Sequence, residues 1–321
     1  MSTRKTRSLV IFFAVLAATG SGAAVAATRA SGSPLGTGVV VIYTNLRLED
    51  TAAAGTGMVL TSSGRILTNN HVIAGATTIR VGVPNATHQY AARVVGYDIA
   101  DDVAVLQLRG AKNLTTVTIG SSATLTVGAS VTAVGNSGGF GRLISVRGRV
   151  IGLRKSITVQ YDSGERHRLA GLIETNAALR PGDSGGPLLD TAGRVVGMDT
   201  AAWRFGRDAY AIPIATATRV TTQIVSGKAS PRVHIGATAF LGVQVQGTTV
   251  ADVVAGSPAA AAGLKPGDVI VSIGGRRVTS EAGITSAVLA HKPGQVVTVV
   301  YTDETGTSRA ARVRLATGPP Q

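Results

Sequence analysis

Ser184 sits in a run, Arg180-Pro181-Gly182-Asp183-Ser184-Gly185-Gly186-Pro187-Leu188, in which five of nine residues are glycine or proline. Such a run cannot belong to an ordinary helix or central strand. It forces a tight, irregular backbone. Glycine has no side chain to block amides that turn inward. The N–H groups of Gly182 and Ser184 can then converge on one oxygen and form an oxyanion hole. That arrangement makes Ser184 a candidate nucleophile, provided that a base can take its proton and a third group can orient the base.

Both partners stand upstream. His71 stands in Leu67-Thr68-Asn69-Asn70-His71-Val72-Ile73, at the end of an apolar strand-like run, and Asp101-Asp102 opens the run Asp101-Asp102-Val103-Ala104-Val105-Leu106-Gln107-Leu108. Histidine, with an ordinary pKa of about 6.5, can accept the serine proton and return it to a leaving amine. A buried aspartate would fix the imidazole tautomer and stabilise its charged form. Strand alternation points Asp102, Ala104 and Leu106 one way and Asp101, Val103 and Val105 the other. Alternation alone does not choose between the two acids.

The elements that must carry these residues read as β. From Val39 to about Val225 the chain alternates short apolar runs with Gly, Asn and Ser, as in Val39–Tyr43, Gly57–Leu60, Ala92–Val95, Val131–Val134 and Val195–Met198. Short strands with frequent turn signals predict a pair of β-barrels, closed off by a short helix near Ala215–Ile224. His71 and Asp102 would come from the first barrel and Ser184 from the second. The order His, Asp, Ser is that of chymotrypsin-like folds.

At these residues the chain resembles the HtrA/Deg branch of trypsin-like serine proteases. The similarity rests on Thr68-Asn69-Asn70-His71-Val72, Asp102-Val103-Ala104-Val105-Leu106, Gly182-Asp183-Ser184-Gly185-Gly186-Pro187-Leu188, Gly55-Thr56-Gly57 and Tyr210-Ala211-Ile212-Pro213-Ile214. The resemblance places the acid at Asp102. It also places Ala178, six residues before the serine, at the base of the primary specificity pocket. An alanine there offers no carboxylate to Lys or Arg and implies a preference for small or medium apolar side chains. Trp203 and Phe205 either stand near the pocket entrance or form a packing plug in their loop. Two positions depart from the pattern of the branch: Asp183 stands where asparagine is common, and Ser137 where proline is frequent. An aspartate before the nucleophile pairs with a newly cut N-terminus in digestive proteases. This chain has no Ile-Val-Gly-Gly start to supply one.

After Ser226-Gly227-Lys228-Ala229-Ser230-Pro231, the chain resembles a PDZ domain. Phe240-Leu241-Gly242-Val243 matches the loop that binds a peptide's C-terminal carboxylate, with Leu241, Gly242 and Val243 as its binding residues. Ser257-Pro258-Ala259-Ala260-Ala261-Ala262-Gly263 reads as a short helix, with Ser as cap, Pro in the first turn and Gly at the end. A second helix spans Glu281–Ala290. Its Ile284 and Val288, four apart, share a face expected to wall the peptide groove. The expected organisation is therefore a signal peptide or signal anchor at 1–27, a linker at 28–38, a protease domain at 39–225, a linker at 226–235 and a PDZ domain at 236–318. The fold class is mainly β: a chymotrypsin-like double β-barrel followed by a small α+β PDZ domain.

Arg4, Lys5 and Arg7, the apolar stretch Leu9–Ala18 and the small residues Ala23-Ala24-Val25-Ala26-Ala27 have the three-part layout of a secretory signal. Cleaved or retained as a membrane anchor, the segment places the catalytic part outside the cytoplasm, whether periplasmic, envelope-attached or secreted. The chain has no cysteine. That excludes disulfides, thiol catalysis and Cys-ligated metals. Its five histidines lack paired ligand spacing, so neither metal nor other cofactor is expected. The net charge of +14 is spread out and aromatics make up only 4%. Nucleic-acid binding is therefore not expected, and attraction to an anionic envelope surface suits the charge better.

The resemblance implies an exported serine endopeptidase acting on unfolded or damaged proteins, with peptide recognition or regulation by the PDZ domain. A regulatory protease with one dedicated target and a peptide-binding scaffold with little proteolysis are the other two readings. Expected partners are protein or peptide substrates, C-terminal peptides at the PDZ groove and copies of the chain in a trimer.

Overall fold

The computed structural model describes residues 8–10, 34–46, 51–84, 86, 88–160, 166–202 and 208–321. Apart from the backbone of Ser8–Val10, the 1–27 segment lies outside the described residues, as do Trp203 and Phe205. The chain divides into two compact units, Met1–Ile235 and Gly236–Gln321.

The first unit is built on two barrels of six strands. In one, Val39–Leu46 pairs with Thr51–Val59 and with Thr78–Gly82. Arg65–Thr68 joins Thr51–Val59 to Val103–Leu108. Gln89–Asp98 pairs with both Thr78–Gly82 and Val103–Leu108, which closes the ring. In the other, Ser130–Gly135, Ile144–Gln160, Arg166–Thr175, Ala209–Pro213, Val195–Ala202 and Pro187–Leu189 pair in that order, and Pro187–Leu189 returns to Ser130–Gly135. Closure gives each of these twelve strands a paired neighbour on both sides.

Period-2 patterning fills each barrel. Val40, Ile42, Ile66, Tyr97 and Leu106 pack in the first; Val131, Val150, Ile173, Leu188 and Val196 pack in the second. A third cluster joins the two barrels. It sets Val39, Met58, Leu67 and Val105 against Leu169, Leu189 and Met198. The helix Ile214–Val225 adds Ile214, Ala217, Val220 and Ile224 to this cluster, the spacing of a single helical face. Each fully buried Val, Leu, Ile or Met side chain contributes about 1.5–3 kcal/mol.

This topology places the chemistry. Arg65–Thr68 and Val103–Leu108 are antiparallel neighbours with Thr68 opposite Ala104. Residues just after the first strand and just before the second must therefore meet. Pro187 lies opposite Met198, so the turn before Pro187 faces the residues after Met198.

In the second unit, Val243–Gln246, Thr249–Val253, Val269–Ile273, Val296–Thr302 and Ser308–Arg314 form a sheet in that order. Thr238–Phe240 pairs with Ala316–Gly318. The helix Pro258–Ala261 is capped by Ser257 and the helix Glu281–Leu289 by Ser280. Val233–Ile235 forms a strand paired with Gly96–Asp98, and the first unit, ending at Ile235, takes in the whole 226–235 segment expected to be a linker.

Candidate active site

His71 and Asp102 meet at the open end of their two strands. Asp102 Oδ2 lies 2.8 Å from His71 Nδ1, and Asp102 Oδ1 accepts the His71 backbone N–H at 2.9 Å. One carboxylate thus grips both the ring and the main chain of the same residue. A third donor, Thr200 Oγ1, reaches Asp102 Oδ2 at 2.6 Å. Asp102 is wholly buried and His71 is 2% exposed. Asp102 has φ of +52°, a left-handed conformation that costs a non-glycine residue about 1–3 kcal/mol. Asn69 Nδ2, donating to Asp102 O at 3.0 Å, helps to hold it. Asp101 turns away and faces Arg219 and Arg232 at 2.6 and 2.7 Å.

Ser184 approaches from the second barrel. Its Oγ donates to Thr200 O at 3.2 Å, so Thr200 touches the acid through its side chain and the nucleophile through its carbonyl. Ser184 O accepts Thr56 N at 2.9 Å. Thr56 Oγ1 donates to Gly182 O at 2.7 Å and accepts Asn136 N at 2.8 Å. Thr56 therefore binds the first barrel to both loops around the nucleophile.

The amides before Ser184 are aimed by their carbonyls. Pro181 O accepts Gly138 N at 2.7 Å and Asp183 O accepts Gly186 N at 2.9 Å. In a planar trans peptide the C=O and the following N–H point in opposite directions. Anchoring these two carbonyls thus turns the Gly182 and Ser184 N–H groups away from the anchors. Gly182 has φ of +97°, and a Cβ there would lie 2.2 Å from Asn136 O. Only glycine fits.

Sequence reasoning gave no role to Thr56, quoted only within Gly55-Thr56-Gly57, and did not single out Thr200 or Asp199. Their signal was weak: a threonine between two glycines, and a polar pair ending an apolar strand. Asp199 is fully buried, and neither of its carboxyl oxygens has a hydrogen-bond partner among the described residues. Burial, followed by the Asp183 charge, pushes its pKa well above the usual carboxylate range. The folded state therefore holds this proton more tightly than the unfolded chain does. Its contribution is fully present at low pH and is lost as pH rises through the raised pKa. Asp199→Asn cannot ionise. Its Tm relative to wild type is expected to increase as pH is raised, and a pH-independent difference in thermal melts would contradict this.

Ala178 is exposed in the loop leading to Ser184. In the second unit, Leu241 O accepts Ala259 N at 2.9 Å and Gly242 O accepts Val254 N at 3.0 Å. By the same peptide geometry, the Gly242 and Val243 amides turn away from these contacts. Ile284 and Val288 are buried in one cluster with Leu241 and Val250. Among the described residues no cluster of three His, Asp or Glu side chains is placed to hold a metal ion.

Residues 55–198 match the trypsin-like peptidase domain family and residues 224–311 the PDZ domain family. The serine protease PepD of Mycobacterium tuberculosis is 32% identical over 306 residues, covering 86% of this chain and 63% of its own. A probable periplasmic serine endoprotease, DegP-like, of Chlamydia muridarum is 34% identical over 263 residues, 76% of this chain and 50% of its own. The chain thus spans between half and 63% of these relatives. The solved structure of the HtrA-type protease AlgW with tripeptide superposes with a TM-score of 0.53 at 28% identity, covering 88% of this chain and 95% of that one.

Proposed function

Since the chain belongs to the HtrA/Deg family of trypsin-like serine proteases, with a PDZ domain following the peptidase domain, we propose that it is an extracytoplasmic endopeptidase. Its substrates are unfolded or damaged proteins. The observation that carries this reading is the chain of contacts His71–Asp102–Thr200–Ser184, beside two amides aimed by anchored carbonyls.

Rotation about the Ser184 Cα–Cβ bond hands Oγ from Thr200 O to His71. His71 takes the proton as Oγ attacks the peptide carbonyl, and Asp102 stabilises the resulting imidazolium. The Gly182 and Ser184 amides receive the tetrahedral oxyanion. His71 then protonates the leaving amine, and water hydrolyses the acyl-enzyme by the same path in reverse. Ala178 forms the pocket base. Leu241, Gly242 and Val243 receive a C-terminal carboxylate, and the helix face bearing Ile284 and Val288 walls the groove. The periplasmic names of several relatives support an extracytoplasmic site of action, as do the N-terminal residues. Trimerisation and membrane attachment through the N-terminal segment remain part of the proposal.

The test is hydrolysis of casein together with a panel of peptides ending in Val, Leu, Lys or Arg on the acyl side. The expected result is Ser184-dependent cleavage, with kcat/KM for Val or Leu about tenfold or more above Lys or Arg. Absence of casein cleavage would refute the endopeptidase reading. A clear basic preference would refute the role of Ala178.

A further inference from the structure

Ser137 and Asp183, the two positions that depart from the pattern of the branch, touch each other. Ser137 Oγ donates to Asp183 Oδ1 at 2.6 Å. The second carboxyl oxygen, Oδ2, accepts Arg180 N at 2.8 Å. Ser137 is 4% exposed and Asp183 3%. The loops that carry them are packed to backbone contact: a Cβ on Gly135 would lie 2.7 Å from Asp183 Cα. Gly138, next to Ser137, donates the bond that aims the Pro181–Gly182 peptide.

Resting on the proposed peptidase reading, we infer that Ser137 and Asp183 form a latch that positions the oxyanion hole. The hydroxyl and the carboxylate hold the 135–139 loop against the 180–184 loop. That registry keeps Gly138 N beneath Pro181 O, and so keeps the Gly182 amide facing the reacting carbonyl. Neither residue touches substrate; both are positioning residues. The latch lies within the chain and requires no newly cut N-terminus. Asp183 is buried with its pKa raised by desolvation, while the bonds from Ser137 and Arg180 favour its charged form. Removing the Ser137 hydroxyl leaves a buried acceptor one donor short, a cost that the loop can relieve by shifting.

A misaimed oxyanion donor affects the transition state more than substrate binding. In the full chain, Ser137→Ala is expected to lower kcat about 10- to 100-fold with KM changed by less than about twofold. Labelling of Ser184 by a fluorophosphonate should slow in parallel. Asp183→Ala should fall as far, and the double variant no further. Asp183→Asn keeps an acceptor for Arg180 and a partner for Ser137 and should fall less than Asp183→Ala. Circular dichroism at the assay temperature confirms that each variant is folded. Three results would overturn the latch alone: labelling of Ser137→Ala at the wild-type rate, losses that multiply in the double variant, or variants unfolded at that temperature. A folded wild type that fails to label would instead overturn the peptidase reading and, with it, the latch's part in catalysis.

Discussion

Ser184→Ala is expected to lower kcat by about 10⁶, the loss typical when the nucleophile of such a triad is removed. The fold should survive. The backbone bonds at this point, Thr56 N to Ser184 O and Gly185 N to Asp199 O, do not involve the hydroxyl. What the side chain gives up is a 3.2 Å bond to Thr200 O, worth about 1 kcal/mol at most. Thermal melting should therefore barely move while turnover collapses. The variant should still bind unfolded substrate, which makes it a trap for natural targets. Residual rate above about 1% of wild type, in a preparation free of wild-type enzyme, would deny Ser184 its role.

Asp102→Asn is expected to cost about 10⁴ in kcat, the magnitude typical of such triads. Here the geometry gives the reason. Oδ1 accepts the His71 backbone N–H, which can only donate. The asparagine carbonyl must take that position, so its NH₂ lands where Oδ2 now faces His71 Nδ1 and Thr200 Oγ1. The hydroxyl can turn round and accept. The imidazole must also accept at Nδ1, which moves its proton to Nε2 and removes the base. KM should change little. Asp101→Asn is the control: its partners are arginines with exposed side chains, and exposed pairs contribute only about 0–1 kcal/mol. Equal losses in the two variants, measured as kcat on a peptide substrate, would contradict this assignment.

The family's named relatives bear out the resemblance and the fold class read from the motifs. The chemistry-bearing strings were legible because glycine, proline and lone polar residues interrupt an otherwise apolar β pattern. The choice between Asp101 and Asp102 was not readable from alternation. Asp102 takes a left-handed φ just before its strand, and that breaks the period-2 rule. Thr200 was illegible for another reason. A threonine in a strand reads as ordinary β sequence, and its partner Asp102 lies 98 residues away. The helix Ile214–Val225 was expected near Ala215–Ile224, and its buried residues Ile214, Ala217, Val220 and Ile224 have the spacing of one helical face. Val233–Ile235 did not, because three residues become a strand only through their pairing with Gly96–Asp98. The touching of Ser137 and Asp183 likewise depends on how two loops pack. Sequence showed each as unusual and gave no hint that they meet.

The most direct test is to treat the full chain with a fluorophosphonate at neutral pH and map the adduct by peptide mass spectrometry. A single modification on Ser184, lost in Ser184→Ala and strongly slowed in Asp102→Asn, is the predicted result. An adduct on another residue, or full peptidase activity with Ser184 unmodified, would contradict the account.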